Sequence, residues 1–212
     1  MRGKSEKIVE LLDGQPVIPV LRIDRLTDAV PLARALARGG LPAIEVTLRT
    51  DIAIDAIRAI RAEVPEAIVG AGTILSAAHY DAAAEAGAAF IVSPGFTPAL
   101  LDAARSSPVP FLPGAITPGE MIALMDEGYT LAKFFPAEQA GGIAFLKALA
   151  SPLAGLGFCP TGGVSAANAP DYLKLPNVAC VGGSWVAPDG LMAEGKWDEI
   201  SLLAQQAARL AA

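Results

Sequence analysis

Eight short apolar segments, each followed by a stretch of helical periodicity, constrain the fold of this 212-residue chain more than any other feature. They lie at 16–23, 43–49, 68–74, 90–93, 110–116, 130–136, 157–161 and 178–181. Runs of this length, bounded by glycine and proline, predict buried strands. Helices are expected at about 28–38, 51–63, 76–86, 97–105, 118–127 and 142–150, then a short one ending near Leu175 and a last one at about 197–210. A further helix at about 4–13 precedes the first strand. Strict alternation implies parallel strands joined by right-handed crossovers. Eight units predict an α/β fold closed into one (β/α)8 TIM barrel over residues 1–212, with an extra N-terminal helix. An open doubly wound sheet is the alternative, but no Gly-x-Gly-x-x-Gly after the first strand supports a dinucleotide site.

A barrel needs a large core, and 53% apolar against 18% charged residues supplies one. The net charge of −6 argues against a nucleic-acid partner, which needs basic surface. No apolar run is long enough to span a bilayer, and Met1–Lys7 carries no signal-peptide pattern, so a cytoplasmic protein without a membrane partner is expected. The two cysteines, Cys159 and Cys180, have neither the number nor the spacing of a disulfide framework or zinc site. Both are expected as buried free thiols. The one histidine, His79, falls in the first turn of a helix capped by Ser76 and is expected on the surface. Any acid–base chemistry then falls to carboxylates and lysines.

The sixth strand, Thr130-Leu-Ala-Lys-Phe-Phe-Pro136, carries one cation. Side chains alternate along a strand, so Leu131, Lys133 and Phe135 share a face. Desolvation favours the neutral amine, a nucleophile towards ketones that forms Schiff bases. The same position suits a buried ion-pair partner. On the second strand Ala43, Glu45, Thr47 and Arg49 share the face expected to look into the barrel, opposite Ile44, Val46 and Leu48. A buried glutamate must be paired or protonated, so Glu45 is either a proton carrier, a partner for Lys133, or both. Arg49 falls at the strand's C-terminal end, where barrel sites lie, and its guanidinium suits a carboxylate. Thr73, on the face of Val69 and Ala71, can bond the same anion; a simple glycine-rich bend fits Gly70-Ala-Gly-Thr73 equally well. Thr161-Gly-Gly-Val164 follows strand seven and Gly182-Gly-Ser184 follows strand eight. In barrels these two loops frequently bind phosphate through backbone N–H groups.

Six stretches match a known family: Ile44-Glu-Val-Thr-Leu-Arg-Thr50, Val69-Gly-Ala-Gly-Thr73, Ser93-Pro-Gly95, Lys133-Phe-Phe-Pro-Ala-Glu138, Cys159-Pro-Thr-Gly-Gly163 and Gly182-Gly-Ser-Trp185. Over nearly its whole length the sequence resembles the 2-keto-3-deoxy-6-phosphogluconate (KDPG) and 4-hydroxy-2-oxoglutarate (KHG) aldolases, class I carbon–carbon lyases. The resemblance implies a homotrimer, no metal and no cofactor, and a phosphorylated keto-acid substrate cleaved to pyruvate and glyceraldehyde 3-phosphate in the Entner–Doudoroff pathway. It implies Lys133 as the Schiff-base lysine and Glu45 as proton shuttle. Arg49 and Thr73 would hold the pyruvyl carboxylate, Pro94 would line the pocket, and Phe135 would pack on the ketimine. Thr161 would face the hydroxyls, with Gly162, Gly163, Gly183 and Ser184 on the phosphate. The segment Gly114-Ala-Ile-Thr-Pro-Gly119 departs from the family pattern and bears on specificity alone. Alternatives are an aldolase preferring 2-keto-3-deoxy-6-phosphogalactonate, a phosphate-binding barrel with isomerase chemistry, and an inert metabolite-binding barrel.

Overall fold

A computed structural model describes residues 5–211. Strands β1 (Val17–Leu21), β2 (Ala43–Thr47), β3 (Ile68–Gly72), β4 (Ile91–Val92), β5 (Phe111–Leu112), β6 (Leu131–Phe134), β7 (Gly157–Pro160) and β8 (Val181–Gly183) follow one another in chain order. Every strand pair is parallel. Six strands form one sheet in the order β5-β4-β3-β2-β1-β8, and β6 pairs with β7. Single bridges join the two sheets, Gly114 to Lys133 on one side, Phe158 to Val178 and Thr161 to Gly182 on the other. The β5–β6 seam keeps two backbone bonds, Lys133 N–H to Pro113 O at 2.8 Å and Ala115 N–H to Lys133 O at 2.9 Å. β5 is short because Pro110 and Pro113, which cannot donate to a ladder, flank it.

The helices are α1 (Glu6–Leu12), α2 (Leu26–Arg38), α3 (Ala53–Glu63), α4 (Ala77–Glu85), α5 (Pro98–Ser106), α6 (Pro118–Asp126), α7 (Gly142–Leu149), α8 (Ala169–Leu173), α9 (Asp189–Ala193) and α10 (Trp197–Ala208). The expected first helix is α1; position 4 lies outside the described residues. Several starts are set by side chains. Ser76 accepts from His79 N–H at the start of α4, and His79 is exposed, as its sequence context predicts. Thr117 and Glu120 form a capping box at α6. The helix α9 is a finding the periodicity does not foresee, since five residues are too few to show a period. Among the described residues no helix is long and apolar enough to cross a membrane.

Strand alternation divides the core. Ile44, Val46, Val69, Ala132 and Phe134 pack with the helices in the larger cluster. Ala43, Leu131, Phe90, Leu112, Cys159 and Cys180 form a second, inner cluster with Ile8 and Leu12 of α1. Both cysteines are buried and free. A hydrogen bond to Cys159, and then burial, push the Cys180 thiol well above its usual pKa. At the strand N-terminal ends, Ser5 Oγ accepts from Thr130 and Leu131 N–H at 3.0 and 3.2 Å, and Gln15 bonds both backbone groups of Ala43. That end is packed shut, so any opening lies at the strands' C-terminal ends.

Candidate active site

Glu45 lies one step above Ala43 on the inner face of β2, and Lys133 one step above Leu131 on β6. The two side chains meet on top of the inner apolar cluster. Lys133 Nζ donates to Glu45 Oε1 at 2.9 Å and to Oε2 at 3.2 Å. Each side chain is 4% exposed, so the pair is a desolvated one. The close meeting depends on Gly72: a Cβ there would lie 2.0 Å from Glu45 Oε1. The glycine therefore keeps the space that the carboxylate fills. The Phe135 ring centroid is 5.7 Å from Lys133 Nζ, and the Phe135–Pro136 peptide is cis.

Beyond the strand ends opens a cavity of about 270 Å³. Arg49, Phe135, Thr161 and Gly162 line it, as do Gly163, Gly183 and Ser184. Arg49 Nε donates to Thr73 Oγ1 at 3.1 Å. Strand alternation puts Thr73 with Val69 and Ala71, which face the helices. β3 instead ends at Gly72, and Thr73 takes φ +60°, so the alternation does not carry through to it. A left-handed threonine costs of order 1–3 kcal/mol, the kind of strain that clusters at functional sites. Thr161 is buried beside Gly182, where a Cβ would stand 2.2 Å from Thr161 Oγ1. Gly182 thus makes room for the threonine. Gly183 makes room for Trp185, whose ring a Cβ would approach to 1.7 Å. These glycines are needed to fit their neighbours, whereas the sequence suggests ligand access or a plain turn. Pro94 is not among the residues lining the cavity; its carbonyl lies against Gly114.

With this geometry, comparison with known proteins is decisive. Residues 8–203 match the aldolase family described as KDPG and KHG aldolase. The chain belongs to the KDPG and KHG aldolase family. It is 50% identical to the KHG/KDPG aldolase of Escherichia coli K12 over 207 residues, 98% of this chain and 97% of that protein. It is also 50% identical to the 2-dehydro-3-deoxy-phosphogluconate aldolase of Pseudoalteromonas atlantica over 192 residues, 91% of this chain and 89% of the relative. Among solved structures it is similar to the KDPG aldolase of Legionella pneumophila, in which pyruvate is captured as a covalent carbinolamine. The TM-score is 0.91 at 43% identity, covering 93% of this chain and 96% of that one. The aldolase of Zymomonas mobilis ZM4 with 3-phosphoglycerate gives a TM-score of 0.91 at 44% identity, covering 98% and 97%.

Among the cavity residues of this aldolase that sequence reasoning leaves unassigned are Arg22, Asp189 and Met192. Arg22 had a signal, because it is the first residue after β1, nearer its strand end than Arg49, which is the second residue after β2. It pairs with Asp24 at 2.9 Å but is 59% exposed. Asp189 and Met192 come from α9, which left no periodic trace.

Proposed function

We propose that this aldolase cleaves 2-keto-3-deoxy-6-phosphogluconate to pyruvate and D-glyceraldehyde 3-phosphate, through a Schiff base on Lys133. It also cleaves 4-hydroxy-2-oxoglutarate to pyruvate and glyoxylate. The observation that carries this reading is the buried Lys133–Glu45 contact at 2.9 Å, with a cavity lined by Arg49 and glycine turns beyond it. The names of the relatives at 50% identity and the carbinolamine in the Legionella protein support it.

The chemistry follows from two groups. Lys133 passes a proton to Glu45, and the free amine adds to the C2 ketone. Glu45 returns the proton to the carbinolamine hydroxyl, which leaves as water and gives a protonated imine. That cation is an electron sink beside the bond to be broken. Glu45, again a carboxylate, takes the C4 hydroxyl proton; C3–C4 breaks and the aldehyde leaves. The enamine regains a proton at C3 from Glu45, and water releases pyruvate from Lys133. Lysine supplies the covalent step, so the reaction needs no cofactor.

Arg49 and Thr73 hold the pyruvyl carboxylate, which replaces the contact they now make with each other. Phe135 packs on the ketimine and Pro94 borders that pocket. Thr161 meets the substrate hydroxyls. Backbone N–H groups at Gly162, Gly163 and Gly183 and the Ser184 hydroxyl hold the phosphate, with Arg22 as an added cation. The eight strands act as one closed (β/α)8 barrel domain, a reading supported by the single bridges at both seams. The homotrimer implied by the family resemblance and the cytoplasmic location expected from the sequence complete the proposal.

The test is pyruvate release from the three candidate substrates, the phosphogluconate, its C4-epimeric phosphogalactonate and 4-hydroxy-2-oxoglutarate, followed with lactate dehydrogenase and NADH. The phosphogluconate should give the highest kcat/KM. No pyruvate from any of the three would sink the proposal.

A further inference from the structure

The glycine turn after β7 is held from behind by residues that do not line the cavity. Asn168, at the start of α8, donates from Nδ2 to Gly163 O at 3.1 Å and accepts from Ser165 N–H at 2.8 Å. On the other side stands Glu138, in the segment between β6 and α7. Its backbone N–H donates to Gly162 O at 3.1 Å, next to the bond from Ala137 N–H to Thr161 O at 2.8 Å. Its side-chain stem lies against Gly163, where a Cβ would stand 2.5 Å from Glu138 Cγ. The Glu138 carboxylate then accepts a hydrogen bond from the Tyr172 hydroxyl. Tyr172 is fully buried in α8, one turn after Asn168. Burial, and next the carboxylate, raise the pKa of its hydroxyl, so it remains a donor at neutral pH. Gly142 at φ +54° leaves room for the contact, since a Cβ there would lie 3.0 Å from Tyr172 Oη and 3.1 Å from Glu138 Oε1.

One helix therefore grips the turn twice, through Asn168 directly and through Tyr172 by way of Glu138. The same glutamate belongs to the segment that continues from the Lys133 strand. We propose that the Glu138–Tyr172 pair is a positioning strut that sets the Gly162–Gly163 turn against the phosphate end of the substrate. It thereby favours phosphorylated over unphosphorylated keto acids. The inference rests on the reading that the phosphate is held at this turn.

The experiment compares Glu138→Ala, Glu138→Gln and Tyr172→Phe on the phosphogluconate and on 4-hydroxy-2-oxoglutarate. Borohydride trapping of pyruvate on Lys133 is run on each variant. Glu138→Ala and Tyr172→Phe should raise KM for the phosphorylated substrate about fivefold to tenfold, the net worth of one hydrogen bond, and leave kcat nearly unchanged. Their kcat/KM for 4-hydroxy-2-oxoglutarate and their pyruvate trapping should match the parent. Glu138→Gln keeps an acceptor for the tyrosine and should restore most of the KM. An unchanged KM, an equal loss on both substrates, or a loss of trapping would each overturn the strut. Ser184→Ala separates this inference from the reading beneath it. If that variant leaves KM for the phosphorylated substrate unchanged, the phosphate reading itself fails. If it raises KM while Glu138→Ala does not, only the strut fails.

Discussion

Lys133 and Glu45 derive their chemistry from being buried together. In water neither group is unusual; at 4% exposure each must be satisfied by the other or by substrate. Replacing Glu45 by Gln keeps the shape and removes the proton carrier. Turnover should fall about a hundredfold to ten-thousandfold, the range for general acid–base groups, in a protein whose circular dichroism matches the parent. A parental rate would take Glu45 out of proton transfer. Gly72→Ala tests the same contact without touching a titratable group. Its methyl would lie 2.0 Å from Glu45 Oε1, so the carboxylate must leave its seat beside the lysine. A displacement of that size is expected to cost about a hundredfold in kcat, and an unchanged kcat would show that this placement does not matter. At this scale the sequence was informative wherever strand alternation holds, which is why both inward charges were legible. It misled on the face of Thr73, where a positive φ interrupts the alternation, and it left Arg22 unassigned because the cavity that Arg22 lines is completed by distant parts of the chain.

Elements divide into those that position the site and those that close the far end. The capping box at α6 belongs to neither the cavity nor the pair. Thr117→Ala should lower unfolding free energy by about 1 kcal/mol in a denaturant titration and leave kcat alone. Glu120 is the other half of that box. Backbone donors, Ile116 N–H first, hold its carboxyl below the ordinary value of 4.5. A lowered folded pKa means its contribution is present above that value and is lost as the pH falls through the folded pKa. The stability gap between parent and Glu120→Gln should therefore narrow in acid, and a gap that stays constant would contradict the assignment. At the far end, Ile8→Ala removes a fully buried side chain of α1 and should cost about 2–5 kcal/mol without changing KM. Periodicity exposed the long helices and hid α9. It also placed the last strand at 178–181, whereas β8 is Val181–Gly183, paired to Val17–Pro19. Two consecutive glycines read locally as a turn; only the long-range ladder makes them a strand.

For the molecule as a whole, alternation of strand and helix made the parallel α/β fold legible, because every crossover follows from the same local pattern. What was not legible is how the seams are made. The β5–β6 join is one isolated bridge beside the prolines that flank β5, and the β7–β8 join is two, each pairing backbone groups distant in sequence. The proposed homotrimer predicts a sedimentation mass of three chains, and a mass of one chain at micromolar concentration would contradict it. The most direct measurement is borohydride reduction in the presence of pyruvate, followed by intact and peptide mass spectrometry. A reduced pyruvyl adduct on Lys133, absent from Lys133→Ala, is the predicted result. Folded parent protein that releases pyruvate from substrate yet carries no adduct on Lys133 would contradict a Schiff-base mechanism at this lysine.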